Sequence, residues 1–207
     1  MDGADAAIPP APSPAYPLAV MPAPVPFLLG TLPTPIGTML LVFDEDAALR
    51  ALDWSDHEDR MRRLLRLHYG TAFALHEAPP PAVLRDPIDA YFAGDLGAID
   101  GVAVRHNGTV FQREVWAALR HIPAGTTLSY GALAQRLGRD KAVRAVGLAN
   151  GANPVGLVVP CHRVIGANAS LTGYGGGLER KRWLLAHEGV ALERGAVGGR
   201  QGMLDLG

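Results

Sequence analysis

The chain is poor in cysteine, in net charge and in long apolar runs, and each shortage closes off a class of function. Among 207 residues there is one cysteine, Cys161. An intramolecular disulfide and a cysteine-rich metal site are therefore excluded, and a free thiol suits a reducing cytoplasm. The formal net charge is -1, so no global field draws the chain to nucleic acid, and any such affinity must come from local charge. Prolines interrupt every apolar run before it reaches membrane-spanning length, so no membrane partner is expected. Asp2 and Asp5 stand where a secretory signal would carry basic residues, which argues against such a signal. His57, His68 and His76 have no partners at metal-ligand spacing and read as surface or packing residues, so no metal and no other cofactor is expected.

What the chain does have is a 48% hydrophobic content, enough for one large or two small domains. Residues 1–25 are Ala- and Pro-rich and read as an extended or disordered tail. Residues 26–106 read as a small α/β unit. Phe27 to Thr31 and Gly37 to Phe43, joined by Pro33-Thr34-Pro35, predict a β-hairpin, and Ala48 to Trp54 a third strand. Ser55 is the expected N-cap of a helix from Asp56 to His68, with Met61, Leu64, Leu65 and Leu67 inward. Pro81 to Phe92 predicts a second helix, with Leu84, Ile88, Tyr91 and Phe92 inward. No chemistry is visible in this half.

Asn107-Gly108 opens a second unit, residues 107–192, followed by a Gly-rich tail over 193–207. Thr109 and Gln112 form a capping box, and Phe111, Val115, Trp116 and Leu119 a strong helical face. Ser129 caps a short helix, Tyr130 to Leu137, closed by Gly138. Asp140 is the expected cap of another helix reaching Asn150. Two short helices across a tight Gly-containing turn predict a helix-turn-helix. Arg136, Arg139, Lys141 and Arg144 gather there against Asp140 alone. A charge run by itself favours a solvated face; on a helix-turn-helix it favours DNA. The second helix lacks the Asn, Gln and Arg rows that read base edges. Its Ala142, Ala145, Gly147 and Ala149 suit close approach in a minor groove, with Arg144 protruding to fill the gap left by an extruded base.

The remaining stretch, Asn153 to Gly175, centres on the single thiol. Val155 to Val159 predicts a buried strand that delivers Cys161 to a Gly-rich loop, and Pro160 restrains its direction. A lone cysteine is more often an inert core residue. The adjoining His162 and Arg163 argue for a reactive one, since a base and a cation both favour the thiolate. Leu178 to His187 predicts the last helix. Glu188, in its final turn, opposes the helix dipole yet shares the apolar face of Leu184 and Leu185. Two readings stand level: pairing with a histidine, or fraying into solvent.

Pro160-Cys161-His162-Arg163-Val164 resembles the active-site motif of the O6-alkylguanine-DNA alkyltransferases, also called methylated-DNA–protein-cysteine methyltransferases. Phe111-Gln112, Val115-Trp116, Ile122-Pro123, Ser129-Tyr130, Arg144-Ala145-Val146-Gly147, Asn153-Pro154, Gly173-Tyr174 and Glu188-Gly189 are similar to the family in order and spacing. The resemblance implies a small, mainly antiparallel, RNase H-like α/β domain and a mostly α domain with a winged-helix-like helix-turn-helix. It implies a cytoplasmic, bacterial-type monomer on the minor groove of alkylated double-stranded DNA, nucleoid-associated when bound. It implies that Cys161 accepts an alkyl group from guanine O6, or thymine O4, once per molecule. His162 would take the thiol proton through a water, and Glu188 would orient His162. Tyr130 would press on the phosphate of the target nucleotide, and Asn153 would brace the turn. Tyr174 and the backbone at Val164 would hold the purine. Arg144 would replace the flipped base, with Arg139, Lys141, Ala142, Ala145 and Gly147 along the DNA. The family's frequent proline is missing from Arg139-Asp140-Lys141, and Gly175 replaces a hydroxyl residue of some members. Two other classes stay open: a cysteine hydrolase using Cys161, His162 and Glu188, and a non-catalytic lesion binder of the alkyltransferase-like kind, whose members replace the cysteine.

Overall fold

Apolar residues alternate between two buried faces along the second strand of the predicted hairpin, and the layers are built around it. In the computed structural model, which describes residues 25–191 except Ala72, β1 (Val25–Thr34) and β2 (Gly37–Phe43) pair antiparallel from Leu28↔Phe43 to Thr34↔Gly37. The two predicted tails, apart from Val25, lie outside the described residues. Pro33, expected in the turn, is paired with Thr38 inside β1. The turn is Pro35-Ile36, and Gly37 follows at φ +119°, a conformation that favours glycine. β3 (Leu49–Trp54) pairs antiparallel with β2. A strand absent from the sequence reading, β4 (Phe73–Glu77), adds parallel to β1, giving the order β3-β2-β1-β4. It is a five-residue edge strand, half-buried to exposed, and it shows no alternation to read.

Leu40 and Val42 of β2 face α1 (Glu58–Tyr69), whose Met61 and Leu65 close a small cluster with Phe27 and Ala51. Two expectations for this helix fail. Ser55 makes no capping bond, because Ser55–His57 form a 3-10 turn ahead of the helix. Leu67 is 65% exposed, since the buried stripe runs through Met61, Leu64 and Leu65 and leaves position 67 toward solvent. Met39, Leu41 and Phe43 point the other way, toward α2 (Ala82–Phe92) with its buried Leu84, Ile88 and Tyr91.

The same large core continues into the second half of the chain without a break. α3 (Val110–Arg120) begins at the predicted capping box, in which Thr109 and Gln112 each accept the other's backbone N–H. Its Val115, Trp116 and Leu119 are fully buried in that core. Gly108 leaves room for the Trp116 ring, which a side chain there would strike. β5 (Leu128–Ser129) leads into α4 (Tyr130–Arg136), capped by Ser129 Oγ accepting from Ala132 N at 3.0 Å and followed by Gly138 at φ +66°. α5 (Val143–Gly151) starts two residues later than expected. Asp140–Ala142 form a 3-10 turn, closed by Ala142 N donating to Arg139 O, and Asp140 makes no side-chain cap. β6 (Val164–Ile165) pairs parallel with β5, and α6 (Leu178–His187) runs as predicted. The first half is thus a small α/β layer with two antiparallel pairings and one parallel, and the second is mostly helical.

Candidate active site

The segment expected to be a strand, Val155 to Val159, is a buried turn. Val155 bridges Leu52 at the edge of β3, and the chain then folds back so that Val159 N donates to Val155 O, with Leu157 at φ +70°. An apolar run buried on every side has no period by which strand and turn differ. The brace is Asn153, fully buried: its Nδ2 donates to Val159 O at 2.8 Å, and its Oδ1 accepts from Val155 N at 3.0 Å. Pro160, at φ -79° and ψ 65°, makes an inverse γ-turn in which Cys161 N donates to Val159 O at 2.7 Å. Cys161–Arg163 then form a single 3-10 turn. Successive side chains there diverge by about 120°. Cys161 and His162 therefore diverge because of a helical turn; they are not strand neighbours.

Behind that turn Glu188 gathers four donors. His162 Nε2 lies 2.9 Å from Glu188 Oε1, Arg163 Nη2 2.9 Å from the same oxygen, and Arg163 Nε 3.0 Å from Oε2. Tyr91 Oη donates to Oε1 at 2.8 Å. All four side chains are interior, so of the two readings of Glu188 pairing holds and fraying does not. Burial would raise the Glu188 carboxyl, but the hydrogen bonds and charges of His162 and Arg163 outweigh it and hold the pKa at about 2. Burial pushes His162 downward, against the pull of Glu188 and with the help of Arg163 and Lys181. Arg163 already neutralises the carboxylate, so we take the imidazole as neutral. Its Nε2–H then donates to Glu188 and leaves Nδ1 as the basic nitrogen. That Nδ1 is buried and has no hydrogen-bond partner among the described residues.

Arg163 does not serve the thiol as its sequence position suggests. It is spent on Glu188 and on Ile122 O, to which Nη1 donates at 2.6 Å. Cys161 is 5% exposed, and burial pushes its thiol upward. The influences that lower it are a hydrogen bond with Asn153 and the charges of Arg60 and Lys181. Arg60 comes from the half in which no chemistry was visible. It pairs with Asp53 at 2.6 Å and donates to Gly151 O at 3.1 Å and Asn153 O at 3.2 Å, binding the end of α5 to the turn before the cysteine. Its guanidinium also lies against Gly175, so a side chain at 175 would have to displace it from these bonds. Tyr91, Asp53 and Arg60 are joined to the site by folding over long sequence separations, and no local motif marks them.

The residues expected on the substrate side lie around this centre. Tyr174 Oη is buried with no hydrogen-bond partner among the described residues, and its ring meets Trp54 and His162 edge-on at 6.1 and 6.3 Å. Val164 is fully buried, and its carbonyl accepts from Lys181 Nζ. Tyr130 begins α4, where burial raises its hydroxyl and Thr172 Oγ1 donates to it at 3.4 Å. On α5 and the turn before it, Lys141, Arg144 and Ala145 are exposed, while Ala142 and Gly147 are half-buried. Gly147 faces the Tyr130 ring. Val143 and Leu148 add exposed apolar surface to the same helix. Arg139 pairs with Glu114 at 2.8 Å and lies 5.3 Å over the Phe111 ring, so its charge is shared. Among the described residues no cluster of metal-binding side chains occurs, and no helix is long and apolar enough to cross a membrane.

A buried thiol with a neutral histidine and a clamped carboxylate, set behind two short helices whose outer face carries exposed basic residues, defines a cysteine-centred site. Residues 110–190 match the family described as 6-O-methylguanine DNA methyltransferase, DNA binding domain. The chain is 53% identical over 160 residues to a methylated-DNA–protein-cysteine methyltransferase of Salmonella typhimurium, covering 77% of this chain and 94% of the relative. A crystal structure of the Mycobacterium tuberculosis O6-methylguanine methyltransferase superposes with a TM-score of 0.62 at 39% identity, over 78% of this chain and 92% of that one. Another, in complex with DNA, gives 0.63 at the same identity, over 78% and 93%. The chain belongs to the methylated-DNA–protein-cysteine methyltransferase family.

Proposed function

We propose that the protein repairs alkylated duplex DNA by moving an alkyl group from guanine O6, and by the same geometry from thymine O4, onto Cys161. The observation that carries this reading is the buried chain His162–Glu188–Arg163–Tyr91 directly behind the only cysteine. The thiol proton passes through a water to His162 Nδ1, and Glu188 stabilises the imidazolium that forms. The thiolate attacks the saturated alkyl carbon, the carbon–O6 bond breaks, and its electron pair returns to the purine. Tyr174 Oη, buried and without a partner among the described residues, donates to the purine and makes guanine a good leaving group. A thiolate is well matched to a soft carbon electrophile. The product is a thioether, which water does not hydrolyse, and no second thiol is present to exchange with it. Each molecule therefore reacts once.

The lesion oxygen lies inside the stacked duplex, and extrusion of the base costs a few kcal/mol. The surface of α5, with small residues around Arg144, supports entry by the minor groove, with Arg144 in the place of the flipped base. Lys141 and Arg139 contact phosphates, Tyr130 presses on the target phosphate, and Asn153 holds the turn between α5 and the thiol. The order β3-β2-β1-β4 with β4 parallel to β1 supports an RNase H-like first half, and the β5–β6 pair a winged second half. The protein acts as a monomer. The test is transfer of labelled methyl from O6-methylguanine duplex to protein. One equivalent on the peptide containing Cys161 is expected; continued turnover would point to a hydrolase, and binding without transfer to a lesion-binding protein.

A further inference from the structure

Lys181 is fully buried, and no carboxylate lies within ion-pair distance of it among the described residues. It projects from α6 two turns before Glu188 and so faces the same side. Its Nζ donates to Val164 O at 2.7 Å and to Thr172 O at 2.8 Å. Those carbonyls belong to the two segments that flank the proposed purine site: β6, directly after the thiol turn, and the stretch leading to Tyr174. A buried ammonium is costly unless something needs its charge. Two neutral carbonyls need only a donor, which a smaller polar group would supply. The titratable groups of the site that Lys181 influences are Cys161 and His162 on the thiol turn. Among the described residues Cys161, once ionised, is the group that offers it a counter-charge.

We propose that Lys181 is a positioning residue for alkyl transfer: it clamps β6 to the Tyr174 segment and supplies the standing positive charge against which the Cys161 thiolate forms. The inference rests on the alkyl-transfer reading given above. Burial lowers the Lys181 ammonium to about 8, so the charge is present at neutral pH and is lost under mildly alkaline conditions. Arginine at this position would keep its charge throughout.

The test is the single-turnover rate of methyl transfer to wild type, Lys181→Met and Lys181→Arg across pH 6 to 10, a range of roughly two units either side of the lysine value. Wild-type transfer itself checks the alkyl-transfer reading and separates its failure from failure of the Lys181 role. The wild-type rate is expected to decline above about pH 8. The rate of Lys181→Arg, lower overall because the longer group disturbs the clamp, should not decline there. Lys181→Met should be slower by about tenfold or more, with the rise of rate that follows thiol ionisation moved to higher pH by about one unit. A merely structural lysine would lower the rate without moving either limb. An unchanged pH profile in Lys181→Met overturns the proposal. Should that variant not fold, an alkaline decline in Lys181→Arg identical to that of wild type overturns it equally.

Discussion

The thiol centre and the outer face of α5 are built on opposite principles. Around Cys161 the polar groups are interior and nearly all engaged. Glu188 has four donor atoms from three residues about it, Arg163 donates from all three of its nitrogens, and Asn153 ties both ends of its turn. On α5 and its leading turn, Lys141 and Arg144 stand in solvent amid small or apolar side chains. Burial makes each charge in the first region strong and each loss severe. Exposure makes the second region adaptable and its individual charges weak until DNA arrives. Changes in the interior should therefore act on chemistry with any substrate, and changes on α5 only where a duplex must be opened.

The largest effect expected is that of Cys161→Ala: no label transfer, with duplex affinity nearly intact because the thiol adds little contact. Residual transfer to the variant, read by counting label on protein, would remove Cys161 as the acceptor. Glu188→Gln comes next. It keeps the shape but takes away the charge that supports His162, and the rate should fall by about 10²-fold.

The same variant alters stability in a defined pH window. Glu188 is depressed from 4.5 to about 2 in the folded protein, so its contribution is present above 4.5 and lost as pH falls toward 2. His162 is likewise depressed below 6.5, and its contribution starts to disappear as pH drops under that value. Wild type should lose stability in both ranges, and Glu188→Gln should lack the lower loss. Thermal melts from pH 7 to pH 3, spanning roughly both ordinary values, check this.

Arg60→Gln should have a smaller but informative effect, because Arg60 joins the two regions through the carbonyls of Gly151 and Asn153. We expect duplex repair to weaken by about tenfold, as for a charged hydrogen bond of about 1.5 kcal/mol, with the free base affected less. The smallest effects belong to the proposed phosphate contacts. Lys141→Ala should lower the salt slope of DNA binding by about 1. Arg139→Ala should lower it less, since Glu114 already shares that charge.

What could be read from the sequence follows the same division. The capping box at Thr109, the Ser129 cap, the span of α6 and the protrusion of Arg144 are local signals, and the structure carries each of them. The motif at Cys161 was visible, but its backbone was not. Val155–Val159 is apolar without period and folds as a turn held by Asn153. The pairing of Glu188 with His162 holds, but one neighbour of the thiol misleads for a physical reason: adjacency in sequence puts Arg163 beside Cys161, whereas the 3-10 turn sends it to Glu188. Tyr91, 97 residues before Glu188, and Arg60, 91 before Gly151, reach the site only through the shared core. β4, half-buried to exposed, had no alternation to show.

The most direct test sets one variant from each region against two substrates. Single-turnover transfer is measured for wild type, Glu188→Gln and Arg144→Ala with O6-methylguanine in duplex DNA and as the free base. Glu188→Gln should slow both substrates by the same factor, while Arg144→Ala should slow the duplex and leave the free base at the wild-type rate. Equal losses on both substrates for Arg144→Ala would mean that Arg144 supports the fold or the thiol, and the division between an interior that does the chemistry and a surface that opens the duplex would be wrong.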